Sequence, residues 1–137
     1  MPIDAALARK LKLGSATRPI VVGASNGFRE ELAAARGKPI GGAIDEHHDW
    51  ILLFARDRSA LEASIGAAAA ALDDPGVIWI AYPKGSSKIQ TDLTRDAGWQ
   101  SVAGAELMWL GLVSIDDTWS AFSTRRYRPS EARQSFR

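Results

Sequence analysis

The chain of 137 residues contains no cysteine. That excludes a disulfide framework, a thiolate metal site and a thiol nucleophile, and it is compatible with a reducing compartment. Histidine is nearly as scarce: His47 and His48 are the only two, side by side. Adjacent side chains on an extended chain point to opposite sides, so this pair makes a poor chelate, and no third ligand accompanies it. No apolar run approaches the roughly 18 residues that a membrane span needs. The first residues lack the basic stretch and apolar core of a signal peptide, so a soluble, cytoplasmic protein is expected. Neither G-x-G-x-x-G nor G-x-x-x-x-G-K-[ST] occurs, which removes the two common phosphate loops. Charge of one sign is also missing, with a formal net charge of +1. Its distribution is uneven: from Arg125 onward five arginines face a single acid, Glu131, leaving the preceding body mildly acidic.

What is present reads as alternating helices and strands. Ile3, Leu7 and Leu11 are spaced by four, predicting an amphipathic helix over 3–12 that stops at Gly14. Pro19-Ile20-Val21-Val22-Gly23 has the apolar run and flanking turn formers of a buried strand. Ser25-Asn26-Gly27 then leads into a helix that carries Phe28, Leu32 and Ala35 inward and ends at Gly37. Trp50-Ile51-Leu52-Leu53-Phe54 and Val77-Ile78-Trp79-Ile80-Ala81 are two further buried strands. Between them, Ser59-Ala60-Leu61-Glu62 has the spacing of a capping box. It opens a helix bearing Leu61, Ile65, Ala68, Ala69 and Leu72, which stops at Asp73-Asp74-Pro75-Gly76. Ser87-Lys88-Ile89-Gln90 repeats the capping-box spacing and predicts a helix to about Asp96, broken by Gly98, with a short helical piece from Trp99. Segments 107–115 and 118–124 read as two final strands joined at Asp116-Asp117. Residues 40–44 are ambiguous. Only 45–48 separate them from the strong strand, and four residues reach at most about 14 Å, too little for a crossover. Either 40–44 pairs antiparallel with 49–54 or it is a short extended segment, and the second is expected.

This order predicts an α/β fold, a Rossmann-like three-layer sandwich. Its sheet is mostly parallel, of about five strands, with an antiparallel C-terminal strand. Residues 1–126 make the single domain, and 127–137 a basic, disordered tail.

Ligands of open α/β sheets sit outside the carboxyl ends of the strands. That rule gathers 23–27, 55–58, 82–88 and 116–119, the last provided that 107–115 runs parallel to its neighbour. In 82–88, Lys84, Ser86, Ser87 and Lys88 beside a helix N-terminus have the chemistry to hold a phosphate or carboxylate; Ser87 as a simple cap is the plainer account. Asp116, Asp117, Thr118 and Trp119 offer paired carboxylates that bind a cation with Asp92 or Asp96, or pair with Lys84 and Arg95. A tight turn whose aspartates bond their own backbone is the plainer reading. The loop 23–27, with Asp45 about 20 residues later, sits where a nucleotide loop and a ribose-binding acid stand, although a structural turn explains it as well. Trp50, Trp79 and Trp109 belong to the core, while Trp99 and Trp119 are placed to line a pocket.

Three runs together resemble an uncharacterised family of small bacterial proteins classed as a domain of unknown function. They are Ile80-Ala81-Tyr82-Pro83-Lys84, Thr91-Asp92-Leu93-Thr94-Arg95-Asp96, and Val113-Ser114-Ile115-Asp116-Asp117-Thr118-Trp119-Ser120-Ala121. The likeness extends over about 11–126; it implies the fold and the placement of 82–96 and 116–119, and no reaction. More distantly, the layout is similar to the later half of a class I methyltransferase, where a strand such as 77–81 precedes a helix and two terminal strands, the last antiparallel. The acidic residue and Gly-rich loop that hold S-adenosylmethionine in that family have no counterpart here, and one crossover unit is missing.

The expected function is a non-catalytic module that binds a ligand or protein partner, with an anion site on the strand carboxyl edge and no cofactor. A degenerate S-adenosylmethionine-dependent methyltransferase-like enzyme is the alternative. A small anion or a protein is the expected partner. The tail arginines with Tyr127 and Phe136 are too few on an acidic body to favour nucleic acid. A sheet ending in 118–124 leaves an edge on which a second copy of the chain can pair.

Overall fold

The computed structural model describes residues 3–24 and 27–134. Ser25 and Asn26 of the expected turn, and 135–137 of the tail, lie outside the described residues. Among the described residues nine elements follow one another: α1 (Ala5–Lys10), β1 (Pro19–Val22), α2 (Phe28–Arg36), β2 (His48–Phe54), α3 (Arg58–Ala71), β3 (Leu72–Pro83), α4 (Gln100–Gly104), β4 (Leu107–Ser114) and β5 (Trp119–Arg126).

The strands make one sheet in the order β1-β2-β3-β5-β4. β1, β2 and β3 are parallel, with Ile20 beside Ile51 and Ile51 beside Ile78. β5 inserts antiparallel between β3 and β4. The C-terminal strand is antiparallel, as expected; the pairings are parallel in one half of the sheet and antiparallel in the other, so the sheet is mostly parallel in strand direction but not in pairing. A short hairpin at 115–118 cannot supply the crossover that parallel pairing requires, so β5 must fold back on β4. Being antiparallel to both neighbours, β5 leaves β4 running in the same direction as β3. The carboxyl end of β4 therefore does reach the common rim. The open edge on this side is β4, not the final strand, and it carries Leu110 and Leu112 at 51% and 44% exposure.

Each central strand is apolar throughout because both faces are covered. Trp50, Leu52, Trp79 and Ala81 face a core shared with Leu7 and Leu11 of the first helical segment and Phe28 and Leu32 of α2. Ile51, Leu53, Ile78, Ile80 and Tyr82 alternate onto the opposite face, against Leu61, Ile65 and Ala68 of α3 and Val102 of α4. Side chains of this kind contribute roughly 1.5–3 kcal/mol each when fully buried. The two layers of core explain how a short chain holds five strands.

Residues 40–44 form no strand. A single parallel bridge joins Gly41 to Ile20, as the short following linker required. Two expected caps are corrected. α3 starts at Arg58, and Asp57 caps it by accepting the Ala60 N–H at 2.9 Å. Glu62 turns instead to Arg58, one helical turn back, at 3.4 Å. The helix predicted over 87–96 is absent. Ser87 donates its hydroxyl to the Lys84 carbonyl, and Thr91 accepts the Leu93 N–H; both local bonds compete with helix formation. Within 87–96 only Leu93 is buried, which anchors a loop and gives no helical stripe.

The described part of the tail is tied down. Arg125 and Glu131 form a two-pronged ion pair at 2.8 and 2.7 Å, and Glu131 also accepts the Arg128 N–H. Arg133 stacks 4.3 Å above the Tyr127 ring and bonds Glu106. Arg126 donates to the carbonyls of Leu72 and Ala69, closing the C-terminal turn of α3. No described helix is long and apolar enough to cross a membrane.

Candidate functional site

The carboxyl rim brings together the two polar stretches singled out in the sequence. β3 ends at Pro83, and Lys84 continues the ladder by donating its N–H to the Thr118 carbonyl at 2.7 Å. The Lys84 ammonium crosses to the end of β4 and donates to the Ser114 hydroxyl at 2.7 Å. Asp116 accepts the N–H groups of Thr118 and Trp119, both at 2.8 Å. The twin-aspartate bend is therefore an internally bonded turn, and Asp116 is occupied by backbone. Asp117 is exposed, as are Ser86 and Lys88. Because 88–98 is not helical, no helix N-terminus backs Lys84 and Ser87, which removes the dipole contribution from the expected anion site.

The loop that replaces the helix is nonetheless well fixed. Asp92 accepts the Arg58 N–H at 2.9 Å, joining the loop to the start of α3. Trp99 donates its indole N–H to the Thr94 carbonyl at 2.6 Å and is completely buried, so it belongs to the core and lines no pocket. Thr94 and Ala97 bond each other across a tight turn that presents Arg95 and Asp96. Gly98 follows at φ +101°, where an added Cβ would stand 2.9 Å from the Asp92 carbonyl oxygen. This close approach, not helix termination, is what requires glycine there.

The rim above β1 and β2 is built differently. Those two strands send their following helices to opposite faces, so their carboxyl ends form the switch point at which such folds hold ligands. Here the ends touch: a Cβ on Gly23 would lie 2.9 Å from the Phe54 carbonyl oxygen. Beside them, Phe28, Phe54 and Trp119 meet edge to face, with centroids 4.9 and 5.0 Å apart. The pocket left next to β1, lined by Gly23, Ala24, Gly27, Arg29, Glu30, Val21 and Gly42, measures about 200 Å³. Small-molecule sites occupy roughly 300–1,000 Å³. Asp45, the candidate ribose-binding acid, is at the other end of the sheet, 3.6 Å from Arg18, which precedes β1. His48 holds that turn by accepting the Asp45 N–H at Nε2 and facing the Arg18 carbonyl from Nδ1. His47 pairs instead with Asp73 at 3.2 Å. Among the described residues, the groups that would hold S-adenosylmethionine in the manner of a methyltransferase are not assembled.

Two features escaped sequence reasoning. One is the aromatic filling of the switch point, contributed by positions that are 26 and 65 residues apart in pairs, beyond any local pattern. The other is a row of hydroxyls. Tyr82 pairs with Ser120, and Ser120 with Ser114, across β3, β5 and β4. The period-two alternation of each strand was visible, but the register that aligns them was not. Burial pushes the Tyr82 phenol above its usual range, with Arg95 pulling it back and Asp96 adding to the rise.

No family model matches this sequence, and no curated protein matches it. Solved structures do share its fold. An O-methyltransferase family 2 protein from Planctomyces limnophilus, in complex with apigenin, matches with a TM-score of 0.57 at 15% identity, over 90% of this chain and 46% of that one. A ribosomal protein L11 methylase from Lactobacillus delbrueckii subsp. bulgaricus matches with a TM-score of 0.51 at 15% identity, over 89% and 64%. A DhpI–SAH complex matches with a TM-score of 0.51 at 9% identity, over 90% and 72%. At these identities the likeness establishes a Rossmann-like fold. The chain spans about half to two-thirds of the length of the first two neighbours.

Proposed function

We propose that this chain is a degenerate, methyltransferase-like protein that keeps the fold of S-adenosylmethionine-dependent enzymes, has filled the cofactor cleft with its own side chains, and works by binding at the carboxyl rim. The carrying observation is the closed switch point, where Gly23 abuts Phe54 and the rings of Phe28, Phe54 and Trp119 occupy the edge. The sheet order with β5 inserted beside β4 supports the methyltransferase ancestry, and fold by itself transfers no activity. Calorimetric titration with S-adenosylmethionine and with its demethylated product tests the reading. No saturable heat is expected at millimolar ligand.

The second reading is an active S-adenosylmethionine-dependent enzyme, favoured by the methyltransferases among the neighbours. Saturable binding of the cofactor, together with transfer of its labelled methyl group to any acceptor, would replace the first reading with this one.

A further inference from the structure

The face of the sheet opposite the filled cleft carries a second, open feature. Tyr82, Ser120 and Ser114 lie side by side at the ends of β3, β5 and β4, in direct register. Tyr82 is 3% and Ser120 9% exposed. Neither hydroxyl has a hydrogen-bond partner among the described residues, and both residues line a groove of about 380 Å³. Neither hydroxyl is among the fully buried atoms that lack a partner, so both open onto the groove, where water or a ligand supplies the bond. Two cations flank the row: Lys84, whose ammonium already reaches Ser114, and Arg95 at the tip of the 94–97 turn. Asp96 pairs with Arg95 at 3.6 Å, and the lining keeps a net positive charge. One step down the strands the chemistry changes. Leu112, beside Phe122, borders the same groove and is 44% exposed.

We propose that this groove binds a small organic anion, a phosphate monoester or carboxylate, whose charged end accepts from Tyr82, Ser120 and Lys84 and whose apolar end rests on Leu112. Arg95 supplies further charge from the loop side. The elevated phenol of Tyr82 stays protonated at neutral pH, which makes it a hydrogen-bond donor to such a group. Charge-assisted bonds of this kind are the stronger ones, and apolar wall plus few convergent polar groups is the usual composition of a ligand site. The inference deepens the binding reading given above, yet it concerns the other face of the sheet, so the cofactor titration and the test below fail or succeed separately.

The test is an NMR titration of the full-length, nitrogen-labelled chain with phenyl phosphate, benzoate and inorganic phosphate as probes. Phenyl phosphate or benzoate is expected to shift the amides of Tyr82, Lys84, Arg95, Leu112 and Ser120 saturably, and whichever binds more tightly identifies the headgroup. Inorganic phosphate, lacking the apolar end, is expected to bind more weakly. Tyr82→Phe keeps the ring stack and removes only the hydroxyl; it and Lys84→Ala are each expected to weaken binding about tenfold. Lys88→Ala, outside the groove, is expected to leave it unchanged. Absence of saturable shifts with all three probes overturns the proposal, as does binding that Tyr82→Phe and Lys84→Ala leave intact in variants whose spectra remain folded.

Discussion

Asp57, not Ser59, is the residue that starts α3, since its carboxylate accepts the Ala60 N–H. Asp57→Ala is therefore expected to lower stability by about 1 kcal/mol in chemical denaturation, and Ser59→Ala by much less. A larger loss for Ser59 would restore the capping box. Glu131 gives a pH-dependent counterpart. Hydrogen bonds from the Arg125 side chain and the Arg128 N–H, together with the nearby positive charge, hold its carboxyl down to about 2, from an ordinary 4.5. A depressed carboxyl stabilises above its unfolded value and loses that contribution as pH falls through its folded one. The contact of the tail with Arg125 is thus expected to be complete above pH 4.5 and to weaken toward pH 2. Titration of the Glu131 carboxyl carbon by NMR checks this, and a midpoint near 4.5 would refute it. Asp49 shifts the same way. Burial works to raise it, but bonds from the Thr17 and Arg18 N–H groups and the Thr17 hydroxyl prevail.

Among the elements, β4 shows how an open sheet edge is managed. Its outer side would present unpaired N–H and C=O groups, a template for further pairing. Gln134 covers one such pair with its amide: Oε1 accepts the Trp109 N–H at 2.8 Å, and Nε2 donates to the Trp109 carbonyl at 3.2 Å. The same residue donates its backbone N–H to the Tyr127 hydroxyl at 2.8 Å. A bulge between Trp109 and Gly111 interrupts the ladder just beyond. Gln134→Ala is expected to speed hydrogen exchange at the Trp109 amide while leaving the central β2 amides unchanged. Equal rates in both proteins would show that the tail does not cap this edge. The 88–98 loop makes a related point. Its sequence has helix-capping spacing, and local hydroxyl bonds from Ser87 and Thr91 override it. The segment therefore ends as a rim beside the groove, not as a cover over the sheet.

At the scale of the molecule, both cores share one set of strands. Ile51 and Trp50 are neighbours in β2 yet belong to opposite layers, so neither layer survives loss of the other. Unfolding is accordingly expected as a single transition, with tryptophan fluorescence and far-ultraviolet circular dichroism giving coincident curves in denaturant. Separate midpoints would mean that the parallel and antiparallel halves unfold independently. The two rim regions also divide by face. The aromatic filling belongs to the layer of α1 and α2, and the hydroxyl groove to that of α3 and α4.

The sequence by itself determined the Rossmann-like class and the order of its main elements. Those follow from local features: apolar runs such as 50–54 and 77–81, turn formers such as Gly37, and the short 45–48 linker that ruled out a parallel crossover after 40–44. It placed 82–88 on the carboxyl rim, and left 116–119 there only on the condition that 107–115 ran parallel to its neighbour. Only the tertiary structure decided what that rim is. Placing β5 between β3 and β4, aligning Tyr82 with Ser120 and Ser114, and closing Phe28 on Phe54 and Trp119 all depend on register and packing between distant segments. Such contacts leave no periodic mark in the chain, since each strand keeps the same alternation whichever neighbour it is given.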